Sequence, residues 1–198
     1  MEDFASFFFV LICFTIFYTY LQNKSSEVTY VNYNNVEYLV RNLPDKEEAA
    51  LLLSKIRNRL QKIVDSCVKK SGKENNSYNK QNIEDINRMK KNFRPDNITE
   101  SSPNNKYTSY SVNKGQKIVF CIRSKENNKL VDINTMMFVA IHELAHLMTK
   151  SIGHKPDFWD NMRFLLEEAI DLKLYDKQDF NNSPVEYCGT TITDTPLN

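Results

Sequence analysis

The sequence predicts an α+β domain in which a small, mostly antiparallel sheet packs on a buried helix, preceded by an apolar helix at the N-terminus. Three observations predict it. A β-hairpin pattern at 107–123 runs into a helix that is apolar on almost every face, and amphipathic helical stripes flank that pair on both sides. With 198 residues there is room for one such domain and a short appendage, which excludes large multidomain machines. Lys and Arg number 26 against 25 Asp and Glu, so the net charge of +1 supplies no global reason to bind nucleic acid.

Residues 4–21, FASFFFVLICFTIFYTYL, carry no charge and form the first predicted element. A helix of that length covers roughly 27 Å, close to the hydrocarbon thickness of a bilayer, and Tyr18 and Tyr20 suit a headgroup interface. Residues 1–23 are therefore expected to be a single-pass membrane anchor. Acidic residues before it and Lys24 after it place the following domain, 24–198, on the cytosolic side. After a polar spacer, VEYLVR at 36–41 reads as a strand stopped by Pro44. Asp45 with Glu48 three residues on offers a helix start. Leu52, Leu53, Ile56, Leu60, Ile63, Val64 and Cys67 then continue a stripe of period near 3.6, predicting a helix over 45–69. The polar run 71–82 reads as a loop, and 83–93 as a short helix closed by Pro95.

Tyr107 to Val112 alternates polar and apolar, Asn113-Lys114-Gly115 supplies turn residues, and KIVFCIR at 117–123 is strongly β-prone. Asp132 or Asn134 then caps the apolar helix, and a last amphipathic helix spans 156–174. Cys13, Cys67, Cys121 and Cys188 lie far apart with no C-x-x-C. Neither a disulfide framework nor a thiolate zinc knuckle is expected, and a reducing compartment is the simpler reading.

The chain has three histidines, all within thirteen residues: His142 and His146 in HELAH, and His154 in GHKPDF. At i and i+4 of a helix, His142 and His146 project from one face and can bind one ion, with Glu143 at the edge of that face. A hydrolytic zinc site needs three protein ligands and one open position. Gly153 can end the helix and turn the chain back, bringing His154 to the metal. The rival third ligand is Glu167, which with Asp171 forms an E-x-x-x-D pattern one helix later. His154 is preferred, because a third clustered histidine has no bland explanation, whereas Glu167 on an amphipathic helix reads equally well as a solvated charge.

The strand ending in Arg123, the short polar loop, the helix entering HELAH, and the segment Gly153, His154, Pro156, Phe158 leading into a further amphipathic helix resemble, in that order, the WLM/SprT branch of zinc metallopeptidases. The Spartan-type proteases of DNA–protein crosslinks belong to that branch. The resemblance covers about 107–175 and implies a zincin-like fold, one catalytic zinc on His142, His146 and His154, and Glu143 as catalytic carboxylate. The small, Asn-rich, anchored form would suit a protein of a large DNA virus.

The expected activity is metalloendopeptidase hydrolysis of a protein or peptide substrate, with Glu143 as general base. The strand 117–123 would receive the substrate as an added strand, and Tyr187 is a candidate oxyanion donor. Cys188 is read as a buried structural cysteine ahead of a zinc-proximal thiol or switch. Two rivals are a catalytically inactive, membrane-anchored zinc-binding interaction protein and a protease stimulated by DNA. For the latter, Lys69, Lys70, Lys73, Lys90, Lys91 and Arg94 are the candidate patch.

Overall fold

The computed structural model describes residues 2–24, 27–73, 78–103 and 105–197, so part of the expected 71–82 loop lies outside the described residues. The first helix, α1, spans Glu2–Lys24. Among the described residues no helix is long and apolar enough to cross a membrane. That overturns the expected anchor at 4–21 and, with it, the placement of the domain at a membrane. The stretch of α1 whose side chains are described, 6–21, rises about 24 Å, short of a hydrocarbon core of roughly 30 Å.

Strands β1 (Val28–Tyr33) and β2 (Val36–Arg41) form an antiparallel hairpin in which Tyr33 faces Val36. Asn34 and Asn35, at φ 51° and 61°, make the two-residue left-handed turn that matches strand twist. The segment read as a polar spacer is thus partly a strand. Helix α2 (Lys46–Ser71) buries the predicted stripe, but Asp45 makes no side-chain cap to it. Its carboxylate instead accepts from Arg123 Nη1 at 2.5 Å. Helix α3 (Lys80–Asn92) starts earlier than its apolar residues suggest, because Asn79 and Asn82 close a reciprocal capping box.

Strand β3 (Ile98–Glu100) runs parallel to β5 (Lys117–Phe120), and β4 (Ser109–Val112) pairs antiparallel on the other side of β5. The order β3-β5-β4 makes β5 the middle strand and β4 the outer one. The expected edge role of 117–123 is therefore wrong: β5 has both sides taken, and β4 is available. Gly115 in the connecting turn has φ 102°, and a Cβ there would meet Asn92 O at 2.4 Å and Leu147 Cδ2 at 2.8 Å. Glycine is required both for the backbone angle and for the close approach of hairpin to helices.

Helix α4 (Ile133–Met148) is capped by the Asp132 carboxylate, which accepts from the amides of Asn134 and Thr135 at 2.9 Å. It packs against α2, α3, β4 and α5 (Pro156–Asp171), which explains its apolar character on nearly all faces. The last pair, β6 (Val185–Tyr187) and β7 (Thr190–Ile192), turns through Cys188 and Gly189 at φ 51° and 79°. Cys188 is joined to Cys121, just beyond β5, in a disulfide with Cα atoms 6.3 Å apart. This corrects the reading of four unpaired cysteines and removes the ground for a reducing compartment. The partners stand 67 positions apart, beyond any spacing signal. Cys13 and Cys67 are free.

Arg123 anchors the join between these parts. It is 2% exposed, its Nε donates to Glu100 Oε1 at 2.8 Å, and Glu100 also accepts the Arg41 amide at 2.7 Å. The first hairpin, the start of α2 and strand β3 are thereby tied to the segment that leads into α4.

Candidate metal centre

The site is assembled on a helix whose surroundings are dry. Along α4, Ile141, Leu144 and Ala145 are fully buried, and His142 and His146 turn toward a cleft of about 530 Å³. The helix ends at Met148, earlier than the expected stop at Gly153. The Thr149 hydroxyl folds back to donate to Ala145 O at 2.8 Å. Two of the helix's last carbonyls are met by donors from neighbouring elements, Asn92 Nδ2 to Leu147 O at 3.2 Å and Arg88 Nη1 to Met148 O at 2.8 Å, and just beyond the helix Lys114 Nζ donates to Lys150 O at 3.0 Å. Asn161 of α5 donates to Thr149 Oγ1 at 3.0 Å. The segment after α4 is thus held at both ends, with Ser151 Oγ donating to Asp157 in the first turn of α5 at 2.7 Å. Gly153, at φ 81°, turns the chain within it.

This path brings His154 to the other two histidines. The three Nε2 atoms lie 3.2 Å (His142 to His146), 3.1 Å (His142 to His154) and 3.2 Å (His146 to His154) apart. Ligands about 2.0–2.1 Å from a tetrahedral zinc ion stand about 3.3–3.4 Å from one another, so the donor triangle fits that ion. Phe158, in the first turn of α5, lies beneath all three rings, with centroid distances of 4.9, 4.4 and 4.7 Å to His142, His146 and His154. Trp159 flanks His154 at 5.5 Å. The role of Phe158 as a floor under the rings went unread in the sequence, although its place in GHKPDF was the available signal.

Burial sets the protonation states. It lowers His142 to about 3, with the His146 and His154 rings adding to the effect. His146 falls to about 4 by burial, then by His154 and Lys114. Both imidazoles are therefore neutral at pH 7, the form that binds a metal. Glu143 is 4% exposed, and burial pushes its carboxyl up to about 7, against a hydrogen bond from the Ser111 backbone amide.

Glu167 and Asp171 are exposed on α5 and stand outside the imidazole cluster. The buried acid of that helix is Glu168, which accepts from Ser66 Oγ at 2.5 Å and Lys70 Nζ at 2.6 Å. The basic set is divided accordingly: Lys69 and Lys90 share a groove between α2 and α3, whereas Lys70 is drawn to Glu168 and Arg94 bonds the Lys91 carbonyl. Strand β4 lines the metal cleft together with Thr108, and Tyr187 and Ile192 of the last hairpin line it too.

The WLM domain matches residues 73–196 of the chain. Uncharacterized protein R325 of Acanthamoeba polyphaga mimivirus is 37% identical over 191 residues, which is 95% of this chain and 94% of that protein. Uncharacterized protein 042R of invertebrate iridescent virus 3 is 42% identical over 69 residues, 34% of this chain and 42% of its own. Among solved structures, a mutant of Wss1 from Saccharomyces cerevisiae aligns at a TM-score of 0.48 and 18% identity, covering 68% of this chain and 87% of the chain in that structure.

Proposed function

Because the chain belongs to the WLM domain family, which is zinc-dependent, we propose that it is a metalloendopeptidase cleaving peptide bonds of protein substrates. His142, His146 and His154 hold one zinc ion, and Glu143 carries the proton. The observation that supports this most strongly is the convergence of three imidazole Nε2 atoms beside a buried carboxyl in one cleft. Zinc, when bound, acts as a Lewis acid on the scissile carbonyl and acidifies water. The chain supplies the rest. Burial keeps His142 and His146 neutral, so their lone pairs face the ion without competition from protons. A carboxyl near 7 suits both proton transfers, since Glu143 accepts a proton from the attacking water and returns it to the leaving amine. The outer strand β4 lets an extended peptide add as a further strand along the cleft wall, held by main-chain hydrogen bonds.

Zinc content and casein cleavage by the full chain provide the test. One zinc per chain, lost in His154→Ala and kept in Glu167→Ala, with cleavage abolished in Glu143→Gln while zinc is retained, is the expected result. Zinc with no cleavage under any condition would leave a zinc-binding interaction protein. Cleavage only with added DNA would favour the crosslink-protease reading.

A further inference from the structure

The C-terminal hairpin contributes to the lining of the cleft that holds the histidines, and one of its side chains, named from the sequence as an oxyanion candidate, is left without a role in the metal centre and proton transfers above. Tyr187 is 3% exposed, yet it lines the same cleft as His142 and Glu143. Its hydroxyl oxygen lies 2.6 Å from Ser109 Oγ on β4. We propose that Tyr187 is the oxyanion donor of this site, its phenol hydrogen-bonding the substrate carbonyl oxygen as negative charge develops there, and that the Cys121–Cys188 disulfide is the strut that holds it in position. The proposal rests on the peptidase reading.

Proton accounting allows the phenol a free donor. Ser109 Oγ carries one proton and two lone pairs, and one lone pair accepts the Cys121 amide at 3.2 Å. In the arrangement in which the serine donates its proton across the 2.6 Å contact to the Tyr187 oxygen, the phenolic proton is free for a substrate oxygen in the cleft. Burial, helped by the negative charge of Glu143, raises the Tyr187 phenol well above its usual value, so it stays a donor at neutral pH. The backbone holds the ring from three directions. Tyr187 pairs with Thr190 across the β6–β7 turn, Cys188 beside it is bonded to Cys121, and Cys121 in turn donates its amide to the serine that touches the phenol. Strut, serine and tyrosine form one closed loop of contacts. A donor fixed in place before charge appears needs no reorganisation, which is the condition for a large contribution to rate.

The probe is a phosphinic pseudotetrapeptide with Ala and Phe side chains, whose tetrahedral anion mimics the charged oxygen, bound to the zinc-loaded full chain and measured by calorimetry. In Tyr187→Phe, binding is expected to be at least roughly tenfold weaker, with zinc content unchanged. The kcat for casein-derived peptides should fall on the order of a hundredfold at similar KM. Ser109→Ala and the pair Cys121→Ala/Cys188→Ala should each give smaller losses of the same kind, again with zinc kept. Equal affinity in parent and Tyr187→Phe, or loss of zinc in Tyr187→Phe, overturns the assignment while parent cleavage upholds the peptidase. Weaker phosphinate binding in Tyr187→Phe with no cleavage by the parent upholds the anion donor and overturns the peptidase. A zinc-loaded parent that neither binds the phosphinate nor cleaves overturns both.

Discussion

Breaking the Cys121–Cys188 bridge is expected to destabilise the fold by about 4 kcal/mol, which follows from what the bridge encloses. The loop it closes spans 67 positions and contains α4, the histidine-bearing turn and α5, that is, the whole metal centre. Cross-linking two points that far apart removes about 15 cal/mol/K of chain entropy from the unfolded state, or about 4 kcal/mol at room temperature. Domains of this size have only roughly 5–15 kcal/mol in total, so the loss corresponds to a melting point lower by roughly 8–16 °C. The assay is urea unfolding of the zinc-free full chain with and without a phosphine reductant, repeated on Cys121→Ala/Cys188→Ala. Thiol titration in denaturant should find two free thiols before reduction, Cys13 and Cys67, and all four after it. Coincident urea midpoints would refute the entropic reasoning, and four free thiols at the outset would refute the bridge itself.

Further outcomes follow from the same geometry. Gly115→Ala should destabilise by about 1–3 kcal/mol in thermal melts, because its Cβ would meet the Asn92 carbonyl and the Leu147 side chain. Phe158→Leu should fold but bind zinc more weakly by competition against a chelating dye, since it removes the ring beneath all three imidazoles; Phe158→Ala should also cost about 3–5 kcal/mol of stability. In the zinc-free chain, His142 and His146 have folded pKa values below the usual 6.5, so the stability they contribute is present above about pH 6.5 and is lost as pH falls toward 4 and then 3. Glu143 works in the opposite sense: its raised pKa contributes stability below about pH 4.5 that is lost as pH rises through 7. Removing that opposing titration in Glu143→Gln should therefore steepen the gain of stability between about pH 4.5 and 6.5, measured by urea unfolding with chelator present; an unchanged slope would contradict the buried state of the carboxyl.

What was legible in the sequence was set by neighbours a few positions apart. The stripe of α2, the apolar run of α4 with a cap at Asp132 or Asn134, the Asn113-Lys114-Gly115 turn and the i, i+4 placement of His142 and His146 depend on helix and turn geometry alone, and each stands in the structure, Asp132 serving as the cap. Even there, tertiary competition intervened: Asp45 looked like a cap, but the buried Arg123 guanidinium is the stronger partner for its carboxylate. The apolar run at 4–21 suggested a span that the described part of α1 does not reach.

Periodicity states that a segment forms a strand, while its neighbours in the sheet depend on which long loops close at acceptable entropy. For that reason β4 rather than β5 proved to be the outer strand. The same holds for the meeting of Cys121 with Cys188, of Tyr187 with Ser109 across 78 positions, and of Phe158 with three imidazoles. The sequence by itself determined that two imidazoles share one helix face with a carboxylate at its edge, because about 3.6 residues per turn leaves no alternative. Only the tertiary structure decided what faces them, since contacts between distant segments are selected by packing of the whole core and not by any local preference.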